Sequence, residues 1–302
     1  MVISIGGMLA VLGCAVAYSG VDLLRKKLSQ RARPALILFY LSLGSVPFFL
    51  LWFLWQPTAL QSGYWLPGMA SVLLNILANL AFLEAVRVSP LSITIPLLSL
   101  TPVFTSLLAI PMLGEVPGNR SWFGIALVVL GVFFLNLPKG KRPSYFWSHL
   151  RGEPGVPLMI GVSVLWSLAM PLDKIAMTMS GPAFHGLALN AGVAIGTLSL
   201  LVVRRRTIEL RSGREMLGGY VVAIVLSALA LALQLIAISL VWVGLVETMK
   251  RSFGSFFAVA AGAAIFHEEI TRRMLAAICL MALPSADRAE FAAGENAYGY
   301  PN

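Results

Sequence analysis

Charge is scarce in this sequence. Only 12% of its 302 residues are Asp, Glu, Lys or Arg, about half the roughly 25% of a soluble domain. With 58% hydrophobic residues, there is too little polar side chain to coat a soluble globule. Cysteine is nearly absent. Cys14 and Cys279 both lie in apolar runs, so they read as small buried hydrophobes and no disulfide framework is implied. Histidine is limited to His149, His185 and His267. His267-Glu268-Glu269 begins like a zinc-protease motif, but Thr271 stands where the second His belongs. There is no Gly-x-Ser-x-Gly and no phosphate-cradling glycine loop. No catalytic residue, metal ligand or cofactor is therefore expected, and the chain does not read as an enzyme. The net charge of +9 could suggest a nucleic-acid partner. The basic residues instead cluster in short links between apolar runs, which is the pattern of membrane topology, so no nucleic acid is expected.

Long apolar runs are what the chain does have. Mean hydropathy is +0.85, and runs of membrane-spanning length recur. Ten spans are predicted, at 2–23, 34–55, 66–87, 91–112, 120–137, 156–176, 183–203, 217–240, 243–266 and 271–284. Backbone groups in lipid must pair within their own segment, so each span should be a helix. The first run has no basic residue before it and Arg25, Lys26 and Lys27 after it, so it reads as an uncleaved span. The tenth is short: the ten residues between Arg273 and Pro284 give about 15 Å of helix against a core of about 30 Å. Either the end is altered or the bilayer thins there.

The stretch 91–137 is copied later in the chain. It holds LLSLTPVFTSLLAIPMLGE (Leu97–Glu115) and SWFGIALVVLGVFFLNL (Ser121–Leu137). A weaker version is KRSFGSFFAVAAGAAIFHE (Lys250–Glu268) followed by RRMLAAICLMAL. A shift of about 153 residues sets Ser99 on Ser252, Phe104 on Phe257 and Glu115 on Glu268. The basic link after Pro138 divides two halves of five spans. An odd number per half requires the second half to enter from the opposite side, an inverted repeat of the kind that builds many transporters. The expected domains are 1–138, a linker 139–155, 156–284 and a disordered tail 285–302.

At these residues the chain resembles the EamA-like family of the drug/metabolite transporter superfamily. The similarity rests on NLAFLEAVRVSPLSITIPLLSLTPVFTSLLAIPMLGE with its Gly114-Glu115 turn, on Gly124 and Gly131, and on ETMKRSFGSFFAVAAGAAIFHEE. Two further matches are Tyr18-Ser19 with Lys26 and Trp166-Ser167 with Lys174. The resemblance covers roughly residues 3–284. Departures are His267 for the turn Gly, Ala276-Ala277 where the first half has Phe123-Gly124, and the short last helix. It implies an all-α, ten-helix membrane protein, two inverted five-helix repeats around a central cavity. It also implies a secondary transporter that moves an amino acid, organic acid or toxic compound by alternating access, often proton-driven. The expected location is the bacterial inner membrane, and the expected partners are a small-molecule substrate and the lipid bilayer. The family keeps both termini in the cytoplasm. Most Lys and Arg fall in the odd-numbered links, which by the positive-inside rule puts the termini outside. The two expectations disagree. A membrane scaffold or sensor, or less readily an intramembrane enzyme, is the alternative, and oligomeric state is left open.

Ionisable groups inside spans cost about 2.5–3.5 kcal/mol each on insertion scales, so they are functional candidates by default. Glu247 stands three and four residues before Lys250 and Arg251. It can neutralise both on one helix face, or the two cations can bind an anionic group, usually a carboxylate. Asn75 and Asn79 share a face of the third span, and Gln234 lies inside the eighth. These amides fit helix–helix contacts or a wet cavity. Trp166, Tyr18 and Trp242 could line that cavity or anchor span ends. Glu84 with Arg87 reads as a terminal ion pair, with proton coupling by Glu84 as the alternative. Glu115 and Glu268, at helix–helix turns, read as structural groups capping the following helix.

Overall fold

The structure, a computed structural model, describes residues 5–136, 152–205, 217–251 and 253–254. Among them there are helices and no strands. Helix α1 is Ile5–Ser29, α2 Pro34–Trp55, α3 Trp65–Val88, α4 Leu91–Leu97, α5 Thr101–Leu113 and α6 Asn119–Asn136. The helical stretch Gly155–Val203 follows, then Leu217–Leu240 and a helix over 243–251. Six stretches are long and apolar enough to cross a membrane. Leu51, Leu54, Trp55, Leu66 and Val203 are each more than 60% exposed. Apolar side chains turned outward on this scale suit contact with acyl chains, not water. The predicted tenth span, residues 139–151 of the repeat linker, the ninth span beyond 254, the tail and Glu268 lie outside the described residues.

Local sequence explains where the helices break. Ser89-Pro90 ends α3, since the residue before proline is driven out of the helical region. The predicted span 91–112 is not one smooth helix: α4 tightens into a 3-10 turn at Leu98–Leu100 before α5 begins. Pro102 sits at the start of α5, where its missing N–H costs nothing. Gly114 ends α5 with φ 70°, and its N–H reaches Ala109 O and Ile110 O, a left-handed cap that glycine adopts freely.

The predicted link between spans six and seven is a single residue. Gly155–Val203 is one 49-residue helical stretch broken only at Gly181, with φ 75° and ψ 160°. That conformation is all but restricted to glycine, and Pro182 starts the second arm. The arms are α7 (155–180) and α8 (182–203). The chain between α2 and α3 holds this joint: Thr58 donates to Ser180 O, and the Gln61 N–H donates to Met179 O at 2.9 Å. The last two described helices are α9 (Leu217–Leu240) and α10 (243–251).

Helices from early and late sequence pack together. Gly13 and Gly20 of α1 meet Leu233 and Leu226 of α9. Gly192 and Gly196 of α8 meet Val72 and Ile76 of α3. Ser163 and Ser167 of α7 donate to Leu97 O and Thr101 O at 3.3 and 3.2 Å. Such small residues allow the close backbone approach that holds helices together in lipid. The tightest contact is Gly186 of α8, where an added Cβ would lie 2.3 Å from the fully buried Phe49 ring of α2. Gly186→Ala is expected to lose about 1–3 kcal/mol through overpacking. Gly161→Ala, with nothing within 4 Å, should instead gain up to about 1 kcal/mol from the stiffer unfolded chain. Paired thermal melts in detergent check this, and equal melting of the two variants would refute the packing account.

Candidate functional site

The packing leaves an internal cavity walled by α1, α2, α3, α7, α8, α9 and α10. Its volume is about 100 Å³, well below the roughly 300–1,000 Å³ of a drug-sized ligand site. Most of the predicted site residues come together here: Tyr18, Asn75, Asn79, Trp166, Gln234, Glu247, Lys250 and Arg251 all line it. Trp242, at the break between α9 and α10, does not.

The α10 triad dominates one wall. Glu247, Lys250 and Arg251 are all buried. Glu247 forms an ion pair with Lys250, and its Oε2 accepts from Arg251 Nε at 3.0 Å. Lys250 Nζ also donates to Gln234 Oε1 at 2.8 Å and lies 5.0 Å from the centre of the Tyr18 ring. The Arg251 guanidinium sits 5.2 Å from the Trp166 ring centre. Two cations thus share one carboxylate, and aromatic faces supply the rest of their stabilisation.

The amides play a quieter part. Asn75 Nδ2 donates to Ser71 O at 3.0 Å, and Asn79 Nδ2 to Asn75 O at 2.8 Å. Both donors return to their own helix.

The cavity also holds ionisable residues that the sequence reading did not single out. Helix α1 runs six residues past its predicted end, which carries Arg25 onto the inner face beside Asp22. Their charged groups are 3.7 Å apart. Arg25 lies 5.6 Å from the Phe82 ring centre, and its Nε has no hydrogen-bond partner among the described residues. Ser227 Oγ, also on the wall, is likewise unpartnered among them. Asp173 of α7 faces the cavity and is bonded to His185 Nε2 at 3.0 Å and to Ser71. A lone Asp deep in an apolar run was the available signal. The basic motif residue beside it, Lys174, drew the attention instead.

Glu84 lies elsewhere. It pairs with Arg87 through bonds of 2.6 and 2.9 Å near the end of α3. Both are partly exposed beside a second cavity of about 490 Å³, with Arg33 and Arg204. Glu115 is buried, and the partners it has among the described residues lie far from the helix that follows it. Its Oε1 meets Lys174 Nζ at 2.6 Å, and its Oε2 accepts the Val243 N–H at 3.0 Å, at the start of α10. The carboxylate therefore caps a helix 128 residues away, where the dipole favours it. Lys174 also donates to Val241 O at 3.3 Å. Lys26 does the corresponding thing at the opposite end, reaching Val86 O and Ser89 O, the latter at 3.0 Å.

Residues 5–137 match the EamA-like transporter family. A protein of Bacillus subtilis (strain 168) named "Uncharacterized transporter YwfM" is 26% identical over 159 residues, 49% of this chain and 51% of that one. The "Riboflavin transporter" of Vibrio cholerae serotype O1 is 32% identical over 132 residues, 43% of this chain and 44% of that one. The chain thus spans about half the length of the curated relatives it matches. A solved crystal structure at 14% identity superposes with a TM-score of 0.61, covering 97% of this chain and 99% of that one. At that identity the likeness shows the fold alone.

Proposed function

We propose that this chain, whose residues 5–137 belong to the EamA-like transporter family, is a secondary transporter of a small organic solute. It is an integral, multi-pass membrane protein. The observation that carries the reading is the buried triad Glu247–Lys250–Arg251 in a cavity between early and late helices. Here two cations meet one carboxylate, beside an Arg25 Nε and a Ser227 Oγ with no partner among the described residues. That excess of donors favours a solute with a carboxylate or other anionic group. Alternating access requires the cavity to widen and open, since about 100 Å³ is too small for an organic metabolite.

Ten helices in two inverted halves, divided near residues 139–155, is the architecture this reading takes. It is supported by the matched roles of Lys26 and Lys174, each tying the end of one helix to the break between two others. It is supported too by the crossed packing of α1 on α9 and α7 on α3–α5. Bacterial relatives favour the bacterial inner membrane. Gradient energy or exchange would drive the cycle.

The test is thermal stabilisation of the purified protein by glutamate, succinate, riboflavin and tetraphenylphosphonium, on wild type and Lys250→Gln. Riboflavin is included because of the Vibrio relative's name. An anionic solute should raise the melting temperature of the wild type, and the shift should be lost in Lys250→Gln. A shift retained in the variant removes Lys250 from the site. A shift with the cationic probe alone overturns the anionic preference.

A further inference from the structure

Asp173 and His185 form an ionisable pair that solute binding as described above does not use. His185 is fully buried and Asp173 nearly so. Three helices build the cluster. His185 of α8 sets Nε2 3.0 Å from Asp173 Oδ1 of α7, and its Nδ1 3.2 Å from the Tyr64 hydroxyl at the start of α3. Ser71 of α3 donates to the same Asp173 oxygen, and Asn75 Nδ2 donates to Ser71 Oγ at 3.1 Å. We propose that the Asp173–His185 pair is the proton-binding site that couples solute movement to a proton gradient. The proposal rests on the transporter reading above.

The hydrogen bonds suit two protonation states. With His185 neutral, Nε2–H donates to Asp173 and Nδ1 accepts from the Tyr64 O–H. With a proton added, both ring N–H groups donate, one to Asp173 and one to the Tyr64 oxygen, whose hydrogen turns away. Neither state leaves a ring nitrogen unpaired, so a proton can arrive and depart without stranding the buried imidazole. The other acids lack this property. A proton on Glu247 would strand two buried cations, and Asp22 faces Arg25. Glu84 is locked to Arg87 at the protein's edge. Lys174, adjacent to Asp173, is turned to Glu115.

Position completes the case. Asp173 opens on the solute cavity. Tyr64 lies at the end of the bundle where the chain from α2 returns, next to Gln61, whose carbonyl accepts the Tyr64 N–H at 3.1 Å. The pair thus lies between the cavity and the end of the bundle where the chain from α2 returns. Only N–H and O–H bonds form and break: one proton is taken up at Nδ1 of His185, held on the ring, and released on the other side.

Charge gives the direction. With His185 neutral, Arg25, Lys250 and Arg251 on the wall balance Asp22, Glu247 and Asp173. The added proton leaves the wall positive by one. Proton and anion then favour each other's binding, as linkage requires, and they travel together.

The experiment uses the full chain in liposomes with trapped pyranine, in wild type, Asp173→Asn and His185→Gln. Labelled glutamate, succinate and riboflavin are the probes. Counterflow without a pH gradient reports solute movement, and accumulation under an acid-outside gradient reports coupling. In wild type a probe active in counterflow should accumulate and acidify the lumen. Both variants, shown folded by their melts, should lower the ratio of gradient-driven uptake to counterflow and lose the acidification. Accumulation indifferent to the gradient in wild type, or an unchanged ratio in both variants, overturns the proton site while leaving a transporter. Loss of counterflow and accumulation in equal proportion in both variants also overturns it, since the pair would then serve solute or structure. Absence of counterflow for every probe in wild type removes the transporter reading and this proposal with it.

Discussion

Glu247→Gln should lower unfolding stability by about 3–5 kcal/mol, the usual cost of breaking a buried charge pair from one side. Glu247 is fully buried and is the carboxylate that Lys250 and Arg251 share. A neutral amide there keeps the shape and removes the compensation, leaving two cations in a dry wall. The cost lies in the stranded charges, not in the lost contact, so removing one cation as well should recover part of it. Glu247→Gln/Lys250→Met is therefore expected to be more stable than Glu247→Gln alone, a positive coupling that a double-mutant cycle reads directly. Succinate should stabilise the single variant more than it stabilises wild type, because it supplies the missing negative charge. Denaturation in mixed micelles measures all three. A Glu247→Gln variant within about 0.5 kcal/mol of wild type would mean that water screens the triad, and the dry-wall account would fail.

The second large effect is expected at Glu115. Its two oxygens tie Lys174 of α7 to the first turn of α10, the helix that carries the cationic wall. Glu115→Ala should lose about 2–4 kcal/mol, combining a broken ion pair with an uncapped helix N-terminus. Glu115→Gln keeps an acceptor for the Val243 N–H and should lose less. Lys174→Met should lose more than Glu115→Gln, since it strands a carboxylate that is 3% exposed, whereas Glu115→Gln leaves a lysine that is 23% exposed and keeps part of its hydration. If the three variants melt alike, the cap and the ion pair do not act as described. The Glu115→Ala variant should also weaken any stabilisation by anionic solutes that depends on Lys250, because α10 would lose its fixed start.

Much of the helical layout was readable from the chain. The bilayer forces long apolar runs into helices, and proline or glycine marks where they stop. Hence α2, α3, α6 and α9 start and end within a residue or two of expectation. Gly114 closes α5 as a Gly-Glu turn suggests. The lysine–arginine helix was singled out because a charge in lipid is conspicuous wherever it lies. The end of α1 was misplaced because Arg25, Lys26 and Lys27 look like a link. Folding turns Arg25 onto an aromatic ring and Lys26 onto backbone carbonyls, so the helix continues through them.

What the sequence determined alone was the class of solvent, the helices and the places where they break, since these follow from hydrogen-bond satisfaction within single segments. What only the tertiary structure decided was which face of each helix looks inward. In a soluble protein a polar stripe reveals the outer face. In lipid both faces are apolar, and that signal vanishes. The meeting of Asp173 with His185 and Tyr64, of Glu115 with Val243, and of Arg25 with Phe82 depends on packing between segments far apart in the chain. No local pattern encodes those distances, and they are what turns scattered charges into a site.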